Sequence, residues 1–380
     1  MRGIMIYLDN AATTFTKPRQ VYEAVVDAMV NNGVNAGRGG YDAAVRANEL
    51  LFETKERLAA LFHIENPERI AFAYNTTHAL NMGIKGVLSY GDHVIITSME
   101  HNSVLRPIKE CELHKRISYT VLRANDKGEI DMNSLEKAIR PNTKLICMTH
   151  SSNVCGTMMD IYKAAEIAHK HNILFMVDAA QSAGAIDIDG SKLDLFAFPG
   201  HKGLMGPMGT GGLYVREGLT LQTIIEGGTG SLSESVYQPE MMPDRLESGT
   251  LNVPAIVGLG QAAKFLLDTG VETVRRQEEA LCSYFEERVR AMPGVTVYGS
   301  SNKTAICAIN IEGADCVEVA QMLNDNYDIA VRAGLHCAIL AHKTLGTEKT
   351  GCVRFSFGYF NTISEVDKAV NAVYEISKEL

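Results

Sequence analysis

The sequence predicts an α/β fold: a large, mainly parallel sheet covered by helices on both faces, followed by a smaller α+β domain. Three observations predict it. Short, almost wholly apolar runs recur through the first part of the chain, as in strands buried on both faces. Segments with apolar residues at helical spacing lie between them. After about residue 265 the texture changes, with two helical stretches ahead of a mixture of strands and helices.

The elements follow in order. Ala43, Ala47, Leu50, Thr54, Leu58 and Leu61 fall at helical spacing, which predicts a helix over 41–62. The apolar run Ile70 to Ala73 reads as a strand, and a helix starts near Thr76 and runs to about Leu88. Further strands are expected at His93–Thr97, Lys144–Thr149, Ile173–Val177, Leu195–Phe198 and Gly212–Val215. Ile161, Ala164, Ala165 and Ala168 mark a helix between two of them. The second region should hold strands at Val295–Tyr298, Thr304–Ile311 and near 328–332 and 351–357, with helices at 315–326 and 363–378. We expect a large domain over residues 18–262 and a small one from residues 1–17 and 263–380.

The chain has 380 residues, 46% hydrophobic and 21% charged, which is globular composition with ample material for a core. A formal net charge of −9 argues against nucleic acid or an anionic membrane surface as the main partner. No apolar run approaches the roughly 18 residues of a membrane span. The stretch MRGIMIYLDNAATT has no long apolar signal region. The eight cysteines form no CxxC pair. They read as reduced thiols of a cytoplasmic protein.

Chemistry is expected at the carboxyl ends of the strands. In FPGHKGLMGPMGTGGLYV, Lys202 lies between a strand and a glycine-rich turn. A lysine in such a partly desolvated place can form a Schiff base; the plain alternative is a surface lysine beside a turn. GTGG lacks the ending of a P-loop. In ILFMVDAAQSAG, Asp178 ends a buried strand. It is either a helix cap or a carboxylate paired with a cationic cofactor ring. In YNTTHALNMG, Thr76 and Thr77 open a helix, where N–H groups and hydroxyls suit phosphate or simply cap the helix. His101 and Asn153 follow two further strands. In VRAGLHCAILAHKTLG, Cys337 lies near Arg332, His336, His342 and Lys343. Positive neighbours favour a thiolate; a buried structural cysteine is the alternative. A metal set of His336, Cys337 and His342 has no carboxylate or second cysteine to complete it, so no metal is expected. Arg354, in a strand-like run, needs a carboxylate or phosphate partner.

The motifs YLDNAATT, EHNS, SSNVCG, VDAAQSAG, GHK, ESGTLN, RAGLHC and VRFSFGYFNT stand in an order that resembles the class V aminotransferases, and within them the cysteine desulfurases. The resemblance runs nearly end to end. It implies the fold type I architecture of pyridoxal-phosphate (PLP) enzymes, with a sheet of the seven-stranded type. It implies Lys202 as the residue bonded to PLP, Asp178 on its ring nitrogen, and His101 stacked on its ring. Gln181 and Asn153 would contact the cofactor, and Thr76, Thr77 and His201 its phosphate. Gly249 and Thr250 would reach the phosphate of a partner subunit, which implies a homodimer. Arg354, with Arg332 and Asn153, would bind the substrate carboxylate. Cys337 would take sulfur from L-cysteine, giving L-alanine, and pass it to an acceptor protein or small thiol, as in iron–sulfur cluster assembly.

The compact RAGLHC segment is similar to the branch that includes selenocysteine lyases, so L-selenocysteine is an alternative substrate. An aminotransferase, lyase or epimerase of the same fold is another reading. Two positions depart from that branch. Pro199 stands where a phosphate-binding serine is usual, and Leu335 where a second histidine is common beside the cysteine.

Overall fold

The computed structural model describes residues 5–37 and 40–379. Residues 1–4, 38, 39 and 380, which the sequence reading divides between the two expected domains, lie outside the described residues. The chain opens with β1 (Ile6–Tyr7), α1 (Arg19–Asn31) and α2 (Asp42–Leu61). There follow β2 (Ile70–Ala73), α3 (Thr76–Val87), β3 (His93–Thr97), α4 (Asn102–Lys115), β4 (Ser118–Leu122), α5 (Met132–Lys137) and β5 (Thr143–Thr149). Then come α6 (Ile161–Lys170), β6 (Leu174–Asp178), β7 (Leu195–Pro199), β8 (Gly211–Val215), α7 (Val253–Thr269) and α8 (Val271–Arg290). The last region holds β9 (Val295–Tyr298), β10 (Ile306–Ile311), α9 (Cys316–Tyr327), β11 (Ile329–Ala330), β12 (Arg332–Gly334), α10 (Ile339–Thr344), β13 (Cys352–Ser356) and α11 (Ile363–Glu379).

Seven strands form the large sheet in the order β2-β8-β7-β6-β5-β3-β4. The pairs from β7 across to β4 are all parallel, and β8 runs antiparallel to both its neighbours. The apolar runs have a direct cause. Along β6, Phe175 and Val177 join the core on one face and Met176 the core on the other. With helices on both faces, each of these strand positions buries an apolar side chain. The first core takes α2, α6 and α7, and the second takes α3 and α4.

The edge strand β4 escaped the sequence reading. Four of its five residues are only half-buried, so no apolar run marks it. The helices α1 and α4 were also not anticipated; α4 carries Pro107 inside it and a charged outer face.

The smaller C-terminal domain is built on an antiparallel sheet, β12-β13-β10-β9, with α8, α9 and α11 over its core. The strand β1 pairs in parallel with β11, and Ile6 and Leu8 enter the same core.

Candidate active site

A cavity of about 310 Å³ opens where β2, β3, β5, β6 and β7 end. Lys202 and Asp178 both line it. Asp178 is the last residue of β6, in register with Thr149 on β5 and Ala197 on β7. The two turns that carry Asp178 and Lys202 meet backbone to backbone. A Cβ on Gly184 would lie 2.5 Å from the Gly203 carbonyl carbon, and one on Gly203 would lie 2.6 Å from the Ala183 oxygen. Glycine at both positions is what allows this approach.

Both charged groups are strained by their surroundings. Burial lowers the Lys202 amine to about 8, and the charge of Arg354 pushes the same way, against the pull of Asp178. Burial raises the Asp178 carboxyl above its ordinary value, although the Ala180 N–H donates to Oδ1 at 2.9 Å. No helix follows β6 directly, so Asp178 caps a turn rather than a helix.

His101 is the N-cap of α4 and accepts the Ser103 N–H at Nδ1, 3.0 Å away, which leaves the hydrogen on Nε2. Burial, then the charge of Lys202, hold its pKa down to about 4. It is therefore a flat neutral ring at physiological pH. Thr76 and Thr77 open α3 and also line the cavity. The Thr77 hydroxyl lies 2.7 Å from that of Ser103, which the sequence reading had not singled out. Ser103 thus brings a further hydroxyl to the cavity; Pro199 ends β7 in register with Gly211 and is not part of the cavity wall. His201 also lines the cavity, and its buried Nδ1 has no hydrogen-bond partner.

Asn153 and Gln181 line the cavity, but each already holds a backbone carbonyl. Gln181 donates to Ala11 O at 3.0 Å, and Asn153 donates from Nδ2 to His336 O at 2.7 Å. Arg354, on β13, is almost wholly buried. It donates to Asn153 O at 2.8 Å and to Asp9 Oδ1 at 2.7 Å, and its Nε has no partner. Asp9, in the YLDNAATT segment, is the carboxylate that the sequence reading did not find for this arginine. Arg332 is exposed and lies opposite Arg354 in the β12–β13 register.

Cys337 is the one exposed cysteine of the eight; the other seven are buried and all are free. It is not part of the cavity wall, but the Asn102 N–H, next to His101, donates to its carbonyl at 2.8 Å. His336 and Cys337 both take left-handed backbone, with φ of 47° and 56°. Gly249 and Thr250 are exposed and line a different cavity, away from Lys202 of their own chain. His336 and His342 come together as a possible ligand pair, but the sulfur beside them belongs to Cys352, not Cys337.

The family model for class-V aminotransferases matches residues 6–369. The chain belongs to the class-V aminotransferase family. A probable cysteine desulfurase of Methanothermobacter thermautotrophicus is 34% identical over 382 residues, covering 98% of this chain and 94% of that one. A cysteine desulfurase of Escherichia coli is 30% identical over 99% of this chain and 94% of its own length. Among solved structures, the apo cysteine desulfurase of Thermococcus onnurineus superposes with a TM-score of 0.93 at 31% identity, covering 99% of this chain and 95% of that one.

The class-V fold is that of fold type I PLP enzymes, and the family's cofactor is PLP. The cavity fits that cofactor. It offers an amine for the aldehyde, a carboxylate for the ring nitrogen and a neutral flat ring beside them. For the phosphate it offers two hydroxyls, the start of α3 and the unpartnered Nδ1 of His201.

Proposed function

We propose that the protein is a PLP-dependent cysteine desulfurase that moves sulfur from L-cysteine to its own Cys337. One observation carries the reading to these residues. The only exposed cysteine is tied by its backbone to residues that border a cavity holding a low-pKa lysine and a buried carboxylate.

Bound in the cavity, PLP supplies a protonated ring that withdraws electrons from the substrate Cα. Asp178 keeps the proton on the ring nitrogen. His101 covers the ring and stays neutral, so it adds no charge there. Thr76, Thr77, Ser103 and His201 hold the phosphate, and Gln181 and Asn153 fix the cofactor's edge. Arg354, aimed by Asp9, takes the substrate carboxylate through its free Nε, with the exposed Arg332 beside it in the β12–β13 register. Lys202, as a neutral amine, would take the Cα proton of the bound amino acid. The Cys337 thiolate attacks the substrate sulfur and the substrate C–S bond breaks. One sulfur atom stays on Cys337 as a persulfide, and the carbon skeleton leaves as L-alanine once Cβ has gained a proton and Lys202 has returned the one it took from Cα. An acceptor protein or small thiol then takes the sulfur.

Residues 18–262 form the PLP-binding domain of this reading, and residues 1–17 with 263–380 the smaller one, a division supported by the pairing of β1 with β11. A homodimer is supported by an unpartnered apolar stripe on α1: Tyr22, Val26, Met29 and Val30 are 50–75% exposed at helical spacing. Gly249 and Thr250 of one subunit would then serve the phosphate of the other. Free, unpaired cysteines fit a reducing cytoplasm. Among the described residues no helix is long and apolar enough to cross a membrane.

The test is Cys337→Ala. The variant should keep its fold and cofactor colour and lose nearly all alanine release from L-cysteine. Mass spectrometry of the wild type after brief exposure to cysteine should find one added sulfur on the Cys337 peptide. Wild-type alanine production by the variant would assign the protein to the lyases or aminotransferases instead. Release from L-selenocysteine that exceeds release from L-cysteine would assign it as a selenocysteine lyase.

A further inference from the structure

Behind the Cys337 turn lies a set of side chains that the proposed sulfur chemistry does not use. His336, His342 and Cys352 are all buried, and their ligand atoms lie within 4.8 Å of one another. His336 Nδ1 is 3.3 Å from His342 Nε2, and Cys352 Sγ is 3.9 Å from the same Nδ1. A tetrahedral zinc ion with ordinary bond lengths sets its nitrogen ligands about 3.3 Å apart and a nitrogen and a sulfur about 3.6 Å apart. The two histidines already stand at that spacing. The sulfur has about 1 Å or less to close.

The outer ring nitrogens are placed as they are in metal sites. His336 Nε2 lies 3.3 Å from the Arg332 carbonyl, which can only accept. That bond puts the hydrogen on Nε2 and a lone pair on Nδ1. His342 Nδ1 lies 2.7 Å from the Thr347 hydroxyl, whose own hydrogen can turn to the His342 carbonyl at 3.5 Å. With its ring hydrogen on Nδ1, His342 presents a second lone pair, on Nε2, facing the first; with the Thr347 hydroxyl donating to Nδ1 instead, His342 Nε2–H donates to His336 Nδ1, and a cation would take the place of that hydrogen. Imidazoles that bind metals commonly donate their far N–H to a carbonyl or another oxygen acceptor in this way. Two lone pairs at 3.3 Å repel unless a proton or a cation lies between them.

We propose that His336, His342 and Cys352 form a binding site for a zinc-class divalent cation, with water as the fourth ligand. The sulfur–metal bond forms as the Cys352 thiol proton leaves to solvent, with no change of oxidation state. Arg354 and Arg332 disfavour positive charge at His336, and the thiolate would offset part of the charge that the ion brings. The ion would add a bond at Nδ1 to a His336 ring already held at Nε2 by the Arg332 carbonyl, beside the backbone bonds from Asn153 and Asn102. It would thereby hold Cys337 in one orientation.

The experiment uses the PLP-loaded enzyme, treated with chelator and titrated with cobalt(II), whose ligand-field bands lie to the red of the cofactor. One equivalent per chain is expected, with tetrahedral band intensity and a thiolate-to-cobalt band. Cys352→Ser should remove that band, and His342→Gln should weaken binding by on the order of 10–100-fold or more. Cys337→Ala should bind cobalt as the wild type does. Retained cofactor colour shows that each variant has folded, and Cys352→Ser keeps the test intact should His342→Gln fail to fold. No stoichiometric uptake, uptake unchanged by Cys352→Ser and His342→Gln, or uptake lost in Cys337→Ala overturns the proposal. Cobalt binding is read without turnover, so this inference and the desulfurase reading fail separately.

Discussion

Lys202 carries its proton below about pH 8 and is a neutral amine above it. Only the neutral amine attacks an aldehyde. Protein stripped of PLP should therefore recapture it faster as pH rises through about 8, with a plateau above, followed by stopped-flow absorbance. Arg354→Gln removes a charge that depresses this amine, so the profile should move to higher pH; an unmoved profile would refute that cause. Glu100 gives a second pH effect. Burial pushes its carboxyl up to about 8, Asp178 adds to the rise, and its Oε2 has no partner. Between its ordinary value near 4.5 and about 8, the folded state holds a proton that the unfolded state has lost. Glu100 therefore makes the protein less stable as pH rises across that window. Glu100→Gln should flatten this part of the stability profile in urea unfolding. Lys202 and Asp178 were legible in the sequence because both fall just after buried apolar runs, where a charge needs a reason. Asp9 and Cys352 were not. Asp9 reaches Arg354 across 345 positions of sequence, and Cys352 meets His336 across a turn and a strand pairing. The exposure of Cys337 belongs to the folded turn and leaves no mark in composition.

The turns after β6 and β7 carry the two charged groups of the site, and their contact at Gly184 and Gly203 sets the distance between them. Gly184→Ala adds a carbon 2.5 Å from backbone, at a residue whose φ is +85°. Overpacking of this kind costs about 1–3 kcal/mol, and the left-handed backbone adds to it. Urea unfolding should show the loss, and the variant should release PLP more readily on dialysis. Gly218→Ala, at a positive φ but in open space, is the control and should keep its cofactor. Most large-sheet strands could be read from the sequence because helices cover both faces and make most positions apolar. The strand β4 could not, since an edge strand with half-exposed residues has no such constraint.

The apolar stripe of α1 and the distant Thr250 make one joint prediction for the assembly. Met29→Glu places a charge in the stripe and should yield monomer by light scattering. Thr250→Ala should leave the dimer intact and loosen the cofactor. If Met29→Glu gives a monomer that retains PLP as tightly as the wild type, the cross-subunit role of Thr250 is wrong even though the dimer is right. The closure of β1 on β11 bears on how the molecule is made. Ile6 and Tyr7 pair with Ile329 and Ala330, which leave the ribosome more than three hundred residues later. At about 5–20 residues per second, the early strand waits on the order of tens of seconds for its partner. The seven-stranded sheet, complete by Val215, can form during that wait. Asp9 cannot reach Arg354 until β13 has been translated. A nascent chain can thus hold Lys202 and Asp178 in place well before Asp9 and Arg354 can join.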